Sequence, residues 1–66
     1  MIKLETKIQN TDLPKTIRNI FSRCHIFTIN ELVNCDFYRL LRIRGIGKAR
    51  LSKVNSYLND NGFFLK

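Results

Sequence analysis

The run from Leu40 to Val54, Leu-Leu-Arg-Ile-Arg-Gly-Ile-Gly-Lys-Ala-Arg-Leu-Ser-Lys-Val, constrains this chain more than any other stretch. It reads as a helix that stops, a hairpin of the form Gly-Ile-Gly, and a second helix that begins on a cation. Gly45 and Gly47 lack a Cβ, so both accept positive φ and a close approach by another backbone. Their amides then point outward. The following helix adds the unpaired N–H groups and the positive dipole end of its first turn, and together these favour an anion. Lys48 sits at that same end, where a positive charge is unfavourable unless something negative docks beside it. The alternative is a tight turn between packed helices and nothing more. Against it, Arg42, Arg44, Lys48, Arg50 and Lys53 crowd this one stretch and repel one another, a cost that structure alone does not require.

The chain has 66 residues and no linker-like stretch, which predicts one small domain. Twelve Lys and Arg against five Asp and Glu leave a charge of +7, pointing to a polyanionic partner, nucleic acid before an anionic membrane surface. A solvated basic surface is the plainer alternative. The Phe and Tyr residues fall mostly at expected helix-core or tail positions, so no basic-aromatic platform for stacking single strands is visible. Cys24, Cys35 and His25 have no metal-ligand spacing, and no cofactor is expected. One histidine beside five scattered acids supplies neither a triad nor a carboxylate pair, so no enzymatic activity is expected. No transmembrane segment is expected. A Met1 start without an apolar run of signal-peptide length suggests a reducing cytoplasm, with the cysteines as packing residues rather than a cross-link.

Periodicity predicts an all-α domain of four or five helices behind a short extended N-terminal arm, residues 1–12. Ile2, Leu4 and Ile8 alternate with Lys3, Glu5 and Lys7, as in a strand or arm that the tail Phe63-Phe64-Leu65 could meet. Leu13, Ile17, Ile20, Phe21 and Cys24 share one face of a first helix that Pro14 opens. Thr28 and Glu31 fit a capping box for a short second helix burying Ile29, Leu32 and Val33, and Asp36 caps a third with Phe37, Leu40 and Leu41 inward. The fourth starts near Gly47, buries Leu51, Val54 and Leu58, and ends at Asn61-Gly62. The expected core is Ile17, Ile20, Phe21, Ile26, Leu32, Leu40, Leu41, Ile46, Leu51, Val54 and Leu58.

Over Leu13 to Lys66 the chain resembles the C-terminal domain of the bacterial RNA polymerase alpha subunit, a helical module built on a helix-hairpin-helix. Leu13 to Ile26 stands against the family's Leu-Ser-Val-Arg-x-x-Asn-Cys-Leu-Lys-Arg-x-x-Ile, sharing the asparagine at Asn19. Thr28 to Val33 resembles Thr-Val-x-Glu-Leu-Leu, Leu40 to Ile43 resembles Leu-Leu-Lys-Ile, and Gly47-Lys48 matches the hairpin Gly-Lys. The ending from Leu58 resembles Leu-x-x-x-Gly-Leu-x-Leu-Lys. The resemblance implies minor-groove binding of A+T-rich double-stranded DNA, contact with transcription activators, and matched contact positions at Asn19, Gly47 and Lys48. It also implies a free-standing relative that acts in the nucleoid, with RNA polymerase or a transcription factor as a further partner. The chain departs from the family where Thr16 occupies the position of a first-helix arginine, with Arg18 nearby, and where Ala49-Arg50 and Lys53 replace Lys-Ser and an acid.

The expected function is therefore non-enzymatic binding of double-stranded DNA through Arg18, Asn19, Arg44, Gly45, Gly47, Lys48, Arg50 and Lys53. A competing expectation is a protein-interaction or dimerisation module that contacts the transcription machinery without binding DNA; the missing arginine at Thr16 favours it. An accessory fragment of a nuclease or ligase is a third.

Overall fold

A 3-10 turn at Ile8–Asn10 precedes four α-helices: α1 (Lys15–Arg23), α2 (Ile29–Val33), α3 (Phe37–Leu41) and α4 (Gly47–Asp60). This is a computed structural model, and it describes residues 2–65. The all-α architecture expected from the periodicity is present, and where a short strand or extended arm was expected the described residues hold an isolated antiparallel bridge between Lys7 and Thr28 and the 3-10 turn.

Each helix boundary has a local cause. Pro14 is the N-cap of α1 at φ −53°, and its carbonyl accepts from the Arg18 amide at 3.0 Å. At the other end α1 closes through two reversed bonds, from the His25 amide to Ser22 O and from the Ile26 amide to Phe21 O, with His25 in the left-handed region at φ +60°. This turn corrects the expectation for Cys24. It is the C-cap of α1 and lies exposed, because the reversal at His25 delivers Ile26 to the core in its place. Cys35 is half-buried, and both thiols are free.

The N-terminal segment departs from strand alternation in an informative way. The first-turn amides of α2 lack intrahelical partners, as in any helix. The Ile29 amide donates to Thr6 O at 3.0 Å, the Asn30 amide to Leu4 O at 2.8 Å, and the Glu31 amide to Thr28 Oγ1 at 3.2 Å. Residues 4–6 thus act as a backbone cap for α2 rather than as a free arm. The Ile8 amide donates to Phe27 O at 2.8 Å and the Ile8 side chain is buried in the core, while Leu4 stays exposed. The capping box also shifts by one residue, since Glu31 Oε1 accepts from the Phe27 amide instead of that of Thr28. Asp36 caps α3 as expected, through the Tyr38 amide at 3.1 Å.

All of these elements meet on one apolar centre. Ile17, Ile20, Phe21, Ile26, Leu32, Leu40, Ile46, Leu51, Val54 and Leu58 are buried as expected, Leu13 and Ile29 are buried on the faces assigned to them, Ile8 joins them, and Val33 and Phe37 are half-buried at the edge. Leu41 is half-buried, because it borders an open groove between α3 and α4. Phe63 and Leu65 pack at the edge of the core, while Phe64 points to solvent. The buried Thr11 hydroxyl donates to Ile8 O at 2.6 Å, which satisfies it inside the apolar surroundings.

Candidate nucleic-acid interface

After α3 the chain descends through successive turn bonds, Arg42 amide to Arg39 O, Ile43 amide to Leu40 O and Ile46 amide to Ile43 O. Gly45 at φ +94° and Gly47 at φ +63° flank Ile46, whose side chain is buried. The two left-handed residues turn the backbone outward on either side of an inward anchor. Their roles differ. A Cβ on Gly45 would lie 3.1 Å from Ile20 Cδ1, so this glycine lets α1 pack against the hairpin; a Cβ on Gly47 would meet nothing within 4 Å, so its outer side is open.

Gly45→Ala is therefore expected to destabilise the fold on two counts. The left-handed backbone costs a residue with a Cβ about 1–2 kcal/mol, and the added methyl displaces Ile20 in the core. Urea denaturation reads the sum, and an unchanged midpoint would refute the contact.

At the N-terminus of α4, Ile46 is the N-cap and no side chain caps the first turn, which also contains no acid. Gly47, Lys48 and Ala49 are all exposed there. The contrast with α2, whose first-turn amides are all bonded, marks this turn as open to an anion. The N-terminus of α1 likewise has no side-chain cap.

The cations named from sequence fall into two groups. Arg44, Lys48 and Lys53 are exposed, and among the described residues none of them enters a side-chain hydrogen bond with a carboxylate. Arg18 and Arg50 are engaged within the fold. Arg18 is half-buried and donates through Nη1 to Gln9 O at 3.0 Å, while Gln9 Nε2 donates back to Arg18 O at 3.1 Å. Its Nε is buried and without a hydrogen-bond partner among the described residues. This reciprocal clasp ties α1 to the 3-10 turn. Arg50 Nη1 donates to Gly45 O across the hairpin.

Helical geometry also divides α4. Lys48 shares a flank with Ser52 and Asn55 beside α3, whereas Lys53 lies about 140° further round the helix. The flank holding Lys48 lines a groove of about 330 Å³ whose other wall is Phe37 and Leu41. Asn19 is exposed on α1, one residue before Ile20, whose side chain meets the Gly45 position. The structure sets Arg44, Gly45, Gly47 and Lys48 in the hairpin and the first turn of α4, and Asn19 on the exposed surface of α1.

One exposed residue escaped the sequence reading. Tyr38, in the first turn of α3, is 68% exposed and meets the Phe37 ring edge-on at 6.0 Å. The cap at Asp36 fixes where α3 begins, and with Phe37, Leu40 and Leu41 toward the core Tyr38 falls on the outer side. Phe27 is also exposed, its ring against His25 at 5.9 Å.

Among the described residues there is no group of three or more metal-ligating side chains. No helix of the described residues is long and apolar enough to cross a membrane. No protein-family model matches the chain.

Proposed function

We propose that this chain binds double-stranded DNA without catalysing a reaction, with the hairpin and the first turn of α4 set against the phosphate backbone and Asn19 reaching toward the minor groove of A+T-rich sequences. The observation that carries the reading is the outer face of Gly47: a left-handed glycine with open space beside it, at an uncapped helix N-terminus, followed by the exposed Lys48. Backbone amides and a helix dipole attract a phosphate, and the net charge of +7 supplies the longer-range attraction. Arg44 and Lys53 add charge at its edges. Arg18 is left out of the contact set because its guanidinium is committed to Gln9. On this reading the chain is a relative of the polymerase alpha C-terminal domain, working in transcription within the nucleoid.

Titration of labelled A+T-rich and G+C-rich duplexes at two salt concentrations tests the proposal. Neutralised phosphates release counterions, so affinity must fall steeply with salt. Lys48→Ala is expected to weaken binding about equally on both duplexes and to shrink the salt slope by roughly one unit. Asn19→Ala should instead narrow the difference between the duplexes, since base edges carry the sequence information. Undetectable binding at low salt would sink the DNA reading.

A second reading, a protein-interaction module for the transcription machinery, draws on the groove that Phe37 and Leu41 form with α4 and on the exposed ring of Tyr38. It predicts that Lys48→Ala leaves duplex affinity unaltered.

A further inference from the structure

We propose that Arg50 is the positioning residue of the hairpin, holding Gly45 and Ile46 in their binding-competent conformation rather than contacting phosphate. The inference deepens the DNA-binding reading and, for its effect on affinity, rests on it. The argument begins with one peptide unit. The Ile46 amide donates to Ile43 O at 3.1 Å, and the carbonyl on the other side of that same peptide bond, Gly45 O, accepts from Arg50 Nη1. A peptide unit is planar, so bonds at both its edges fix its orientation as a whole. No backbone amide of the described residues takes the place of Arg50 at Gly45 O outside the helices.

That orientation matters because of what stands on either side. Gly45 at φ +94° has the widest conformational freedom of any residue type, and nothing in its own covalent structure selects this value. The buried Ile46 side chain anchors the loop from below, but an anchor on one side chain leaves rotation of the flanking peptide free. Arg50 removes that freedom from above. It reaches back over the first turn of α4 from a flank of the helix opposite to Lys48, with its guanidinium directed to Gly45 O. A guanidinium suits this task, since its planar fork is pre-organised for a carbonyl and is always charged. The cationic crowding visible in the sequence thus contains a cation that stabilises the loop on which the others act.

The test separates a brace from a phosphate contact. In the free protein, ¹⁵N order parameters at Gly45 and Ile46 and exchange protection of the Ile46 amide are measured for wild type, Arg50→Gln and Arg50→Lys. Arg50→Gln should lower the order parameters toward the flexible range, below about 0.6, and remove the protection. If the competent conformation then falls to about one tenth of the population, duplex affinity falls about tenfold. The salt slope should stay within about half a unit of wild type, since no phosphate contact is lost. Arg50→Lys keeps the charge and a donor and should recover most of the order. Wild-type order parameters in Arg50→Gln, or a slope reduced by about one unit, overturn the proposal. Should Arg50→Gln fail to fold, the same comparison is made on Arg50→Met, which keeps the aliphatic stem without a donor, and wild-type order at Gly45 and Ile46 in that variant overturns it. If wild type binds no duplex, the DNA reading fails while the order parameters still decide whether Arg50 is the brace.

Discussion

Leu51→Ala is expected to leave a large fraction of the molecules unfolded at room temperature. Leu51 is 1% exposed and lies one turn into α4, where its side chain joins the common apolar centre. Truncating a buried leucine costs about 2–5 kcal/mol, the lost transfer energy plus a cavity that neighbours fill only in part. Per-residue stabilities of natural domains put a chain of this length at roughly 3–10 kcal/mol in all. The substitution therefore removes a share comparable with the whole. Urea denaturation followed by helical circular dichroism reads it as a midpoint shifted far toward zero urea. Ser56→Ala on the exposed face of α4 serves as the control and should move stability by no more than about 0.5 kcal/mol. A Leu51→Ala midpoint equal to that of the control would remove Leu51 from the core.

Gly47→Val is expected to abolish duplex binding while most of the helical signal survives. The left-handed φ of Gly47 is a genuine outlier for a β-branched residue, so the hairpin must rearrange, although the space around the position is open. Hydrogen bonds from amides to a charged group contribute about 1.5–3 kcal/mol each, and losing one or two corresponds to a fall of roughly 10- to 20,000-fold in affinity. Gly47→Asn separates strain from obstruction, because asparagine tolerates the left-handed region while still placing a side chain on the outer face. If the backbone itself meets the phosphate, Gly47→Asn also loses affinity with the fold unaltered. Duplex titration and circular dichroism on both variants supply the readouts, and wild-type affinity in Gly47→Val would refute the role given to this glycine.

The two glycines also show how much of the site was legible in advance. Their identity predicted a positive-φ hairpin between helices, because that is a property of a residue without a Cβ and needs no knowledge of neighbours. It did not predict that they would divide the work, with Gly45 accommodating Ile20 from α1 and Gly47 facing open space. That division depends on where a helix some two dozen residues earlier comes to rest. The same holds for the cations. Charge and crowding were visible in the sequence, but Arg18 and Arg50 are directed by backbone carbonyls at Gln9 and Gly45 that only folding brings within reach.

For the fold the boundary lies in a similar place. Local rules located the helices: Thr28, Asp36 and Asn61-Gly62 mark their ends, and the 3.6-residue spacing of Ile17, Ile20, Phe21, Leu51, Val54 and Leu58 marks their buried faces, since caps and periodicity act within a few residues. Tertiary structure decided what those rules do not encode. The period-two segment at the N-terminus became a cap for α2 because the orphan amides of Ile29 and Asn30 needed acceptors, and the carbonyls of Thr6 and Leu4 lay beside them. Cys24 left the apolar face because a left-handed turn at His25 brought in Ile26. Hydrophobic spacing along a chain determines which side of a helix is buried, whereas which amides and carbonyls meet between segments follows only from how those sides pack together.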